Sequence, residues 1–156
     1  MKTTTIIYRS PWEIDSLIHA FQECSLPRHQ WNHAAHLTVG LWYLFYDSEQ
    51  EAIDAVRNGI KHYNSAQGIE TTRNSGYHET LTLFWLGIIR RYLAQESLHR
   101  SMVSLANGAI AKYADRTLPL SYYTRDRLMS WEARNNWVEP DLKAIDSDTV
   151  AIGTKY

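Results

Sequence analysis

Cysteine is almost missing from this chain of 156 residues: Cys24 stands alone, so no intrachain disulfide can form and a reducing compartment is the simpler expectation. An excess of charge of one sign is missing too. With 16 basic residues against 17 acidic ones, the chain carries no global electrostatic footprint for nucleic acid. The longest nearly apolar run, 37–46, is too short for the ~20 residues that cross a bilayer as a helix. The N-terminal residues lack the apolar stretch and small-residue cleavage site of a signal peptide. These absences predict a cytoplasmic protein with neither nucleic-acid nor membrane partners, and leave a homo-oligomer open. A nucleophile elbow of the form Gly-x-Ser-x-Gly, a Gly-rich phosphate loop, a dinucleotide fingerprint and the zinc-protease pattern of two histidines four apart are also missing, which removes several common enzyme classes.

Aromatic residues are abundant, with six Trp and ten Tyr. They are large anchors whose N–H and O–H groups need partners when buried. At 44% apolar and 21% charged, the composition suits one globular domain over 1–156. Its segments read as helices. Ser10-Pro11-Trp12-Glu13 is a capping box with proline at the first helical position, predicting a helix over 11–23 that closes before Pro27. A second helix over 31–46 is apolar nearly all round, as expected at the centre of a bundle. Ser48-Glu49-Gln50-Glu51 is another capping box, opening a third helix that stops near Gly68. Helical spacing then predicts a fourth helix over 78–95, a fifth over 97–113, and a sixth after Pro119 that ends near Asn135-Asn136. The residues 1–9 read as a short strand or ordered arm, and 138–156 as an irregular tail. The fold class is therefore all-α, a single bundle of about six helices.

Three histidines carry the functional reading. In a helix beginning at His78, Trp85, Ile89 and Tyr92 fall within about 40° of it, so its ring points inward. A buried imidazole left without a partner costs roughly 1–3 kcal/mol. His33 and His36, three residues apart on the second helix, can present two nitrogens on one side. Together with His78 they would supply three neutral ligands, leaving an open position for water on a divalent metal such as zinc, manganese or iron. Glu79 is then the candidate catalytic base. Arg73, Tyr77, Thr82 and Asn64 are the candidate substrate-binding residues, since they precede or flank His78 or end the third helix. The opposing reading is structural: His33 and His36 bond to backbone carbonyls or tyrosine hydroxyls, and His78 caps the fourth helix.

An early histidine (His33 or His36), a later His78-Glu79 doublet and a late Asp141 faintly resemble the pattern of the HD-type metal phosphohydrolases. The likeness covers four positions. It departs from the family at Glu79, where an aspartate is usual, and at Asp141, which follows Pro140 instead of lying on a helix. The expected function is a metal-dependent enzyme acting on a small molecule, with hydrolysis ahead of oxygen chemistry. The alternative is a non-enzymatic module that binds a small molecule or another surface and uses its histidines structurally.

Overall fold

A computed structural model describes residues 7–96 and 99–145. Among these residues there are seven α-helices and no strand: α1 (Pro11–Gln22), α2 (His33–Tyr46), α3 (Glu49–Ala66), α4 (Glu79–Gln95), α5 (Met102–Lys112), α6 (Arg125–Leu128) and α7 (Trp131–Asn135). Both predicted capping boxes form. The Glu13 carboxylate accepts from the Ser10 and Arg9 amides, while Ser48 and Glu51 exchange side-chain to backbone bonds at the start of α3. Asn32 caps α2, accepting from the Ala35 amide, which places the start of that helix two residues later than its apolar pattern suggests.

The all-round apolar character of α2 has its explanation in packing. α1, α3, α4 and α5 all lie against it, and Leu37 and Leu41 are buried on one side while Val39 is buried on another. Close approach of α1 to α3 depends on Gly59, where a Cβ would sit 2.8 Å from the Phe21 ring. No helix among the described residues is long and apolar enough to cross a membrane.

The chain ends depart from the sequence reading in two ways. Of the predicted arm, residues 1–6 lie outside the described residues; Ile7 and Tyr8 are tied to α5, with both amides donating to Asn107 Oδ1 and Asn107 Nδ2 returning a bond to Tyr8 O. The predicted sixth helix is instead a 3-10 turn (Leu118–Ser121) followed by α6 and α7. Thr124 and Ser130 cause this break, because each hydroxyl accepts an amide three residues on and starts a new helix. The fifth helix begins at Met102, after a Ser101 cap, and not near Ser97, which lies outside the described residues.

The segment expected as a tail is fixed as far as 145. Val138 is buried, Thr80 Oγ1 donates to Asn136 O, and the Asp141 carboxylate accepts from the amide and hydroxyl of Thr124. Asp141 therefore completes the α6 cap, and the role suggested by the phosphohydrolase resemblance is withdrawn. Residues 146–156 of that tail lie outside the described residues.

His78 joins this C-terminal layer to the bundle. It is the N-cap of α4 and not its first helical residue, with extended backbone at φ −134° and ψ 107°. Its Nδ1 accepts from the Leu81 amide at 3.1 Å, and its Nε2–H donates to Leu128 O, at the end of α6, at 2.7 Å. Replacing His78 by alanine removes a helix cap and leaves the Leu128 carbonyl buried without its donor. We expect His78→Ala to lower unfolding free energy by about 2–3 kcal/mol in urea titrations, and His78→Asn, which retains a capping oxygen, to recover roughly 1 kcal/mol of that loss.

Candidate functional site

The histidines are positioned by backbone, and each has a partner. His33, in the first turn of α2, donates from Nε2 to Tyr113 O at 2.8 Å, with its ring edge-on to Trp85 at a centroid distance of 4.8 Å. His36, one turn on, donates from Nδ1 to Asn32 O at 2.8 Å and stacks on Trp31 with ring centroids 3.7 Å apart. His78 has both nitrogens engaged, as described above.

This arrangement overturns the metal reading. No group of three or more His, Cys, Asp or Glu side chains among the described residues is placed to hold a metal ion. A ligating nitrogen needs a free lone pair, and the His78 Nδ1 lone pair already receives the Leu81 amide while Nε2 carries the proton given to Leu128. His33, His36 and His78 are therefore not a divalent-metal triad, and a metal-dependent hydrolase or oxygenase built on them is excluded by their geometry.

Glu79 is likewise not a free base. Arg57 grips its carboxylate in a fork, Nε to Oε1 at 3.0 Å and Nη2 to Oε2 at 2.8 Å, and the Tyr77 hydroxyl donates to Oε1 at 2.6 Å. Burial works to raise the Glu79 pKa, but Arg57 and then Tyr77 outweigh it and hold the carboxyl below its ordinary range. Burial and the same carboxylate push the Tyr77 hydroxyl well above its usual value. The cluster anchors the loop before α4 to α3. Arg134 holds that loop from the other side, donating from Nη1 to Gly76 O at 3.1 Å. Gly76 makes the turn possible with φ at +89°, where a Cβ would lie 2.6 Å from Thr71 Cα.

Between α2, α3, α4 and this loop lies a cavity of about 610 Å³. Leu37, Val56, Ile60, Leu86 and Ile89 supply apolar wall, and Trp31, His33, His36 and Trp85 supply rings. Asn64, Tyr77 and Thr82, three of the four residues expected to contact substrate, line it. Arg73 does not; its guanidinium lies over the Trp131 ring, 5.5 Å from the centroid. Thr82 Oγ1 donates to His78 O one turn back, so its hydroxyl proton is committed to the backbone. Arg116 also lines the cavity, although no local pattern distinguishes it from other charged residues. The chain matches no family model, no curated protein and no solved structure.

His36 is the most informative wall residue. Its ring stacks on Trp31 with protein packed closely around it, yet the residue remains exposed at the cavity opening. That position lowers its pKa to about 4, chiefly by desolvation and further through His33 and the Arg116 cation, against the contrary pull of the Asn32 carbonyl. At neutral pH the ring is therefore uncharged, with Nδ1 protonated and Nε2 a bare acceptor. A base with a pKa about 4 is poorly matched to proton abstraction near pH 7, but it is a good fixed hydrogen-bond acceptor.

The sign of the linkage follows from the lowered value. The unfolded chain binds a proton at this site near pH 6.5 and the folded protein only near 4, so acidification between these values favours unfolding. The urea midpoint is expected to fall as pH drops through this window. His36→Phe, which keeps the stack on Trp31, should show a shallower fall; the difference between the two curves isolates His36 from the carboxylates and from His78, whose pKa is lowered by burial as well.

Proposed function

We propose that the protein binds a small organic molecule in the cavity between α2, α3 and α4, without a metal. The observation that carries this reading is the cavity itself. Its volume of about 610 Å³ falls within the ~300–1,000 Å³ of ligand pockets, and its wall combines apolar side chains with a few polar groups. The Asn64 side chain is 9% exposed and makes no hydrogen bond to a described residue, and His36 Nε2 and His33 Nδ1 are also without protein partners. Unbonded polar groups on an otherwise apolar wall are what orient a ligand. The wall is also preorganised, because the Arg57–Glu79–Tyr77 cluster and Arg134 brace the loop that closes one side.

The test is a ligand-observed NMR screen of small aromatic and heteroaromatic fragments against the full chain, alongside Thr82→Trp and Ile69→Trp, which place an indole in the cavity from α4 and from the loop. Fragments that bind the wild type and are lost from a folded filled variant support the reading. An absence of hits, or hits that persist in both variants while circular dichroism shows them folded, contradicts it.

A further inference from the structure

We propose that the occupant of this cavity is a planar organic anion: a carboxylate on a flat aromatic or conjugated ring that also carries an N–H or O–H. This inference rests on the small-molecule reading above and specifies the ligand's chemistry. The charge comes from Arg116, an exposed cationic side chain at the rim of the cavity. It makes no hydrogen bond or ion pair with a described residue, and no Asp or Glu shares that wall with it. The neighbouring Asp115 faces His33, but its carboxylate oxygen is already bonded to the amide and hydroxyl of Thr117. A guanidinium offers a two-pronged match to a carboxylate.

The ring is specified by the flat surfaces. Trp31 is itself sandwiched between Phe21 and His36, so the flat surfaces left on the wall are those of His36, His33 and Trp85, which favour a planar guest over a branched aliphatic one. The donor is specified by an imidazole. The His36 proton is committed to Asn32 O, so what this ring presents to the cavity is the Nε2 lone pair, which a ligand N–H or O–H satisfies. Asn64 can serve either kind of ligand group, because its amide is both donor and acceptor. A cationic ligand would meet Arg116 unfavourably, and a purely apolar one would leave the buried Asn64 amide dry and unbonded.

Three probes separate the elements of the proposal: indole-3-acetate, its neutral analogue indole-3-acetamide, and 1-methylindole-3-acetate, which lacks the ring N–H. Titration calorimetry on the full chain at low salt should give acetate binding about 3–10-fold tighter than the amide, as expected for a charge pair at a cavity rim. Added salt and Arg116→Gln should each shrink that gap toward unity. The N-methyl analogue should bind several-fold more weakly than indole-3-acetate in the wild type, with the difference lost in His36→Phe. Equal binding of acid and amide, a preference that survives Arg116→Gln, or no binding by any of the three overturns the ligand class. Neutral fragments that still occupy the cavity, and leave it in Thr82→Trp, would keep the small-molecule reading while this inference fails; loss of every fragment would end both.

Discussion

The two-sided engagement of His78 is the constraint on which the rest of the arrangement depends. One ring nitrogen begins α4 by accepting the Leu81 amide, and the other fastens α6 through Leu128 O. Because α4 packs against α2, α3, α5 and α7, fixing its first residue fixes one end of the wall shared by the bundle and the C-terminal layer. Serine, threonine, asparagine and aspartate are the usual caps. Each could satisfy the Leu81 amide, but none carries a second nitrogen that reaches a carbonyl on another element from the same ring.

The same economy of hydrogen bonds accounts for the cavity. Where Glu79, Tyr77, Arg57 and Arg134 bond to one another or to loop carbonyls, the polar groups are used up and the structure is held. Where His36, His33, Asn64 and Arg116 meet the cavity, each keeps a donor or acceptor without a protein partner. The division between the two sets runs along the loop before α4. One set keeps the site from collapsing, and the other gives it polarity.

Much of the fold is legible in the sequence because its causes are local. The capping boxes at Ser10 and Ser48 and the apolar surface of α2 each act within a few residues. The short hydroxyl caps at Thr124 and Ser130 are local too, but their signal is hidden by an apolar spacing that continues across them. The site is less legible. Sequence position places Asn64, Tyr77 and Thr82 near His78, and all three line the cavity, yet spacing gives directions and not partners. Tyr113 O lies 80 residues from His33 and Leu128 O lies 50 from His78, so nothing in the local pattern distinguishes a histidine bound to a distant carbonyl from one awaiting a metal. A difference of one residue in the start of α4 separates the two readings: as a first helical residue His78 would project a free ring, whereas as a cap it turns that ring back on the helix. The fork between Arg57 and Glu79 is missed for the same reason, since it joins two helices.

The most direct measurement of this account is a long-range proton–nitrogen NMR spectrum of the histidine rings near neutral pH, recorded with and without added zinc. The structure requires ring protons at fixed nitrogens, Nε2–H for His33 and His78 and Nδ1–H for His36, with the His78 resonances unmoved by zinc. Coordinated shifts of all three rings on adding one equivalent of zinc, or a His78 ring that exchanges freely between tautomers, would contradict it.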